Sequence, residues 1–187
     1  METTMKQQTS TRMLSEAGVM IALAQVLSMI TLFKMPQGGS VTPASMVPIM
    51  IFAIRWGVGP GVIAGVAYGF LQMIFGGYVL TPIQGALDYP VALAMLGLVG
   101  MVSKSFLNEG KNISKAMYNK IGLFSFLAIF GRLSCHVLSG VVFFSEYAED
   151  ANPWIYSLMY NGSFLLVEYI ISVIVLFILI KPISKIK

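Results

Sequence analysis

Charged positions interrupt this chain only at long intervals. Residues 17–33, 35–54 and 56–87 contain no Asp, Glu, Lys or Arg. A helix that crosses a bilayer needs roughly 20 mainly apolar residues, and the third stretch is long enough for one crossing and a turn. The pattern predicts an all-α membrane protein made of one transmembrane domain, 1–187. Its six helices cover about 12–33, 42–55, 58–77, 83–103, 119–145 and 154–180. Pro43 and Pro48 should tilt or break the second helix, since proline removes a backbone donor and crowds the preceding turn.

The polar residues between these segments alternate in sign. Lys6 and Arg12 precede the first helix, and Arg55 separates the second from the third. Lys104, Lys111, Lys115 and Lys120 separate the fourth from the fifth, and Lys181, Lys185 and Lys187 close the chain. These residues are ten of the twelve Lys and Arg, and six crossings put all ten on one side. The positive-inside rule then places both termini in the cytoplasm. The loop after the fifth helix is acidic, with Glu146, Glu149 and Asp150. The N-terminal apolar run reads as a helix rather than a cleaved leader, because no small-residue cleavage site follows it.

Composition agrees with this picture. Of 187 residues, 57% are hydrophobic and 11% charged, against about 25% charged in soluble domains. The net charge of +4 comes from short linkers and tails, so it sets topology and does not point to nucleic acid. The single cysteine, Cys135, excludes an internal disulfide and a cysteine-based metal cluster. Neither a metal nor a cofactor is expected.

Small residues recur at helical spacing. Gly57, Gly61, Gly65 and Gly69 stack on one face of the third helix, which suits close internal packing. Gly18 and Ala22 make a smaller version on the first helix, facing either the rest of the bundle or a partner protein.

Four ionisable residues fall at membrane depth: Asp88, Arg132, His136 and Glu168. Such groups are costly in a bilayer and mark partners or function. Arg132 lies 13 residues before Ser145, and Glu168 lies 12 after Tyr156. At 1.5 Å per residue both sit about 18–20 Å below the outer end of adjacent antiparallel helices. Equal depth and opposite charge predict a structural ion pair. His136 shares the Arg132 face by i, i+4 spacing, and Gly140 and then Phe143 or Phe144 continue it. Asn161 lies seven residues before Glu168, on the same face of the sixth helix, and Asp88 enters from the fourth. Asp88, His136 and Asn161 should therefore converge in the outer half of the bundle. Around that level lie Tyr78, Tyr89, Phe143, Phe144, Tyr147, Trp154, Tyr156 and Tyr160. Some of these belong to an interfacial belt. A carboxylate, an imidazole and an amide beside aromatic faces suit a flat cationic heterocycle.

Four blocks together, "MPQGGSVTPASMVPI", "RWGVGPGVIAG", "PIQGALDYP" and "HVLSGVVFFSEYA…PWIYSLMYNG", resemble the thiamin-specific S-components of energy-coupling factor (ECF) transporters. The resemblance covers nearly the whole chain. It implies a six-helix protein of the cell membrane that captures thiamin from outside and works with a transmembrane coupling subunit and two ATPases. Asp88 would take the place of a family glutamate, before Tyr89, and bind the aminopyrimidine or balance the cation. His136 would pack on the pyrimidine, Tyr156 and Asn161 would contact the ligand, and Tyr78 and Gln84 would line the cavity. Gly18 and Ala22 would face the coupling subunit. Gly38, Gly39 and Ser40 stand where a relative carries a tryptophan over the ligand. Phe144 stands where a second tryptophan is expected, and Arg132 where the family has a lysine. Trp154 could compensate for the missing stacking.

Three other readings are weighed. The chain could serve another vitamin, riboflavin or a similar heterocycle. It could be an intramembrane hydrolase built on His136 with Ser134 or Ser139, but those serines are poorly placed on the same helix, and no GxSxG elbow exists. It could be a stand-alone secondary transporter, but no internal repeat is evident. No Walker A sequence is present, so the chain reads as a binding subunit and not an enzyme.

Overall fold

The structure, a computed structural model, describes residues 2–110 and 112–185; Lys111 and Lys187 lie outside them, as does the side chain of Lys6. The molecule is nearly all-helical. In chain order the long helices are α1 (Glu2–Met29), α2 (Val47–Trp56), α3 (Val58–Ile74), α4 (Pro82–Glu109), α5 (Lys115–Phe143) and α6 (Pro153–Ile183). Among the described residues α1, α4, α5 and α6 are long and apolar enough to cross a bilayer, while α2 and α3 are shorter, 10 and 17 residues.

Local chemistry sets the ends. Thr81, Ser114 and Asn152 cap α4, α5 and α6, accepting from the backbone N–H of Gln84, Met117 and Trp154. Pro82 and Pro153 occupy first-turn positions, where the missing N–H costs nothing. Gly57, at φ 93°, makes the sharp break between α2 and α3.

Helix α2 is the hub, with every residue from Val47 to Ile54 buried. Helix α3 wedges against α2 and α4 through its glycines. A Cβ on Gly61 would lie 2.6 Å from the Ala53 Cβ, and one on Gly69 would lie 2.5 Å from the Pro90 Cα. The glycine spacing thus serves internal packing. Helix α5 packs between α4 and α6. Helix α1 lies at the edge against α2 and α3, where Ala24 is buried and the Arg55–Glu16 ion pair ties it down at 2.5 Å. Gly18 and Ala22 sit on its exposed face.

Three expectations need correction. Helix α1 stops at Met29 instead of continuing to 33, because Met35 before Pro36 is extended and Gly38 takes a positive φ. Residues 33–41 instead form a short antiparallel hairpin pairing Phe33 with Val41. Helix α2 begins at Val47, not 42, after an irregular segment in which Ala44 has φ 64°. Helix α4 runs on to Glu109 and contains a π-helical turn at Leu87–Val91. There Pro90 has no N–H to give, and the Ala92 N–H reaches back five residues to the Leu87 carbonyl.

Candidate functional site

A cavity opens at the hairpin end of the bundle, holding about 790 Å³ of empty space with its mouth included. Its polar wall comes from α4, α5 and α6, and its aromatic walls come from Tyr78, Phe144 and Tyr147 on one side and Tyr156, Tyr160 and Phe164 on the other.

Asp88 is aimed inward by the π turn and held by three donors. The His136 Nδ1 lies 2.9 Å from Oδ1, while the Ser139 hydroxyl and the Gln84 amide donate to Oδ2 at 2.7 and 2.6 Å. Gln84 is itself fixed, accepting from the Leu80 N–H at 2.8 Å and donating to the Tyr78 carbonyl at 3.1 Å. The chain between α3 and α4 is therefore strapped to the carboxylate, and the Tyr78 N–H donates to the Tyr89 hydroxyl at 2.6 Å.

Below Asp88 the network continues to buried charge. Arg132 Nε lies 3.2 Å from His136 Nε2, and Arg132 Nη1 donates to Glu168 Oε2 at 3.0 Å and to the Met46 sulfur. Arg132 and Glu168 thus meet as an ion pair between α5 and α6. Glu168 Oε1 also accepts from the Thr42 N–H at 3.0 Å and the Thr42 hydroxyl at 2.6 Å, which ties the segment after the hairpin to α6. An isolated buried charge would be costly; Arg132 and Glu168 pair with each other, and Asp88 is held by three hydrogen bonds. The formal charges of Asp88, Arg132 and Glu168 sum to one negative.

The hairpin closes over the other side. Tyr160 donates to the Pro36 carbonyl and accepts from the Gly39 N–H. Gly38 approaches Tyr78 so closely that a Cβ would lie 2.9 Å from the tyrosine Cβ. Asn161 is locked by its own helix and by α5, donating to the Ser157 carbonyl at 2.9 Å and to the His136 carbonyl at 3.4 Å. Tyr147 stands in the short turn Ser145–Ala148, and its hydrogen bond with Tyr78 holds its phenol above the ordinary pKa.

The structure brings Asp88, His136, Asn161, Tyr156, Tyr89, Tyr78, Gln84, Gly140 and Phe144 to one cavity, with Gly38, Gly39 and Ser40 at its rim. It does not bring Trp154 there. That residue sits in the exposed first turn of α6, 54% exposed, outside the lining. Sequence reasoning missed Ser139, Ser157 and Phe164 as lining or bonding groups. Helical spacing from His136 and Asn161 could have found them. It also missed Gln72 and Thr42, for which the sequence carries no signal. Ser134 bonds its own helix at the Phe130 carbonyl, and Ser139 serves Asp88, so neither serine forms a dyad with His136. Among the described residues no three His, Cys, Asp or Glu side chains converge at metal-binding distance.

Residues 14–187 match the family model described as Thiamine transporter protein (Thia_YuaJ). Thiamine transporter ThiT of Bacillus subtilis (strain 168) is 36% identical over 171 residues, covering 89% of this chain and 88% of the relative. Thiamine transporter ThiT of Lacticaseibacillus paracasei is 33% identical over 143 residues, covering 72% of this chain and 70% of the relative. A solved structure of ThiT from Listeria monocytogenes superposes with a TM-score of 0.84 at 27% identity, covering 93% of this chain and 96% of that one.

Proposed function

The chain belongs to the thiamine transporter family, and from that premise we propose that it is the thiamin-capturing S-component of an ECF-type uptake system. One observation carries the substrate: a carboxylate fixed by three donors faces a cavity with aromatic walls, and the surrounding charges leave one net negative. That arrangement complements a flat monocation. The rings stack on the heterocycle and attract its charge, and Asp88 supplies the counter-charge. His136, Asn161 and Tyr156 contact the pyrimidine end, and Phe144 supplies part of the stacking that a tryptophan would give.

The protein is multi-pass in the cell membrane. It crosses six times, α2 and α3 being completed by the buried segment before α2, with both termini cytoplasmic and the cavity outside. The ten basic residues on one side support this topology. The chain performs no chemistry and holds no cofactor. A coupling subunit docks on the exposed face of α1 at Gly18 and Ala22, and two ATPases supply the energy. The test is thermal unfolding in detergent with thiamin, riboflavin and biotin. Thiamin at 100 times its Kd should stabilise the protein by about 2.7 kcal/mol. Stabilisation by riboflavin and not by thiamin would overturn the substrate assignment.

A further inference from the structure

Arginine has no lone pair to offer and does not deprotonate in proteins, so every hydrogen bond it makes is a donation. Arg132 Nε lies 3.2 Å from His136 Nε2. The Nε2 atom must therefore be the bare, accepting nitrogen of a neutral ring. The proton then sits on Nδ1, which lies 2.9 Å from Asp88 Oδ1 and donates to it. Asp88 favours the same tautomer from the Nδ1 side, and Arg132 alone faces Nε2, where it bars a second proton; the ring's remaining contact is the edge of Phe164 at 6.2 Å between centroids. Arg132 is held in turn by Glu168, which Thr42 grips from a separate segment.

We infer that the Arg132–Glu168 pair is a positioning device for the ligand-binding carboxylate: it locks His136 in the neutral Nδ1–H form and so keeps Asp88 free of a competing cation. The inference rests on the thiamin reading for its ligand and goes further in naming a proton lock. Three charged groups face His136: Asp88 from α4, Arg132 one turn away on α5 and Glu168 from α6. Beside two carboxylates and without Arg132, nothing would bar a second proton at Nε2. The imidazolium would then occupy the counter-charge meant for the ligand. A paired arginine prevents this, because its Nε–H already fills the site that a second ring proton would need.

This chain has one histidine, so tag-free protein labelled with ¹⁵N-histidine gives a single imidazole signal pair. In ligand-free wild type, Nδ1 should show the protonated-type shift and Nε2 the bare-type shift, unchanged from about pH 5 to pH 8. An Nε2–H tautomer, or a ring that titrates in that range, would overturn the lock. The double variant Arg132→Met/Glu168→Gln removes the donor and its counter-charge together. The amide oxygen that replaces the Glu168 carboxylate still accepts from Thr42, and the cavity keeps one net negative charge from Asp88. In that variant the imidazole should titrate. With Nε2 open to a second proton, the ratio of variant to wild-type thiamin affinity should fall as pH drops from 8 to 5. Taking the ratio cancels any titration of thiamin itself. A ratio constant with pH would sink the proposal. The nitrogen shifts are read without ligand, so a wild type that shows the Nδ1–H form yet binds no thiamin would overturn the substrate and leave the lock standing.

Discussion

Replacing Asp88 by asparagine keeps the shape of the side chain and removes its charge. Three donors converge on Asp88, and an amide can accept with only one of its two heads. If the amide oxygen keeps Ser139 and Gln84, its NH₂ meets the His136 Nδ1–H donor to donor, and Arg132 blocks the ring from changing tautomer. The cavity also loses its net charge. A cation about 4 Å from a carboxylate gains roughly 4 kcal/mol at an effective dielectric constant of 20, part of which is offset by desolvation. The expected loss of thiamin affinity is about 2–4 kcal/mol, or roughly 30- to 900-fold in Kd. Isothermal titration in detergent measures it. A neutral analogue, with the thiazolium replaced by thiophene, isolates the charge: Asp88→Asn should weaken it far less than it weakens thiamin. Equal losses for the two ligands would mean that Asp88 only holds the pocket in shape. A normal thiamin Kd would mean that the carboxylate does not meet the ligand at all.

The remaining predictions concern the scaffold and the partner. Arg132→Met and Glu168→Leu should each destabilise the protein by about 3–5 kcal/mol, because each leaves a buried charge without its partner. The double change should cost less than their sum, and strict additivity in chemical unfolding would refute the coupling. Gly69→Ala should cost about 1–3 kcal/mol from overpacking against Pro90 and should weaken thiamin binding as the turn carrying Asp88 shifts; unchanged unfolding and affinity would show that the contact yields freely. Gly18→Trp or Ala22→Trp should leave the thiamin Kd unchanged while abolishing co-purification with the coupling subunit, because a bulky group denies close approach to a partner helix. A variant that still assembles would place the docking surface elsewhere.

Much of this was legible in the sequence because a bilayer leaves the chain few choices. Uncharged length located the helices. The i, i+4 and seven-residue spacings on α5 and α6 brought Arg132, His136, Asn161 and Glu168 to one seam before any coordinates. The hairpin was not legible. Its strands are two residues each, its shape depends on positive φ at Gln37 and Gly38, and its position depends on a hydroxyl more than a hundred residues away, that of Tyr160. Trp154 misled for a related reason. Composition marks an aromatic as able to stack, but only the cap at Asn152 and the first turn of α6 decide which way it faces. Thr42 carried no pattern, and its role exists only because Glu168 needed more donors than Arg132 supplies.

The π turn in α4 has a consequence for how this sequence can change over time. An α-helix advances about 100° per residue, so the wider turn at Leu87–Val91 and the tighter 3₁₀ winding at Met95–Val102 together set the phase between the two halves of α4. Gln84, before the turn, and Asp88, at its start, point into the cavity. After it, the phase points Gly97 and Gly100 at the backbone of α3, where no side chain fits. The two halves answer to different selective demands, and the turn lets each keep its own orientation. Substitutions on either half can therefore accumulate independently. Loss of a single residue between 87 and 91 would rotate either the carboxylate off the cavity or the glycines off α3. In this segment length is under tighter constraint than identity.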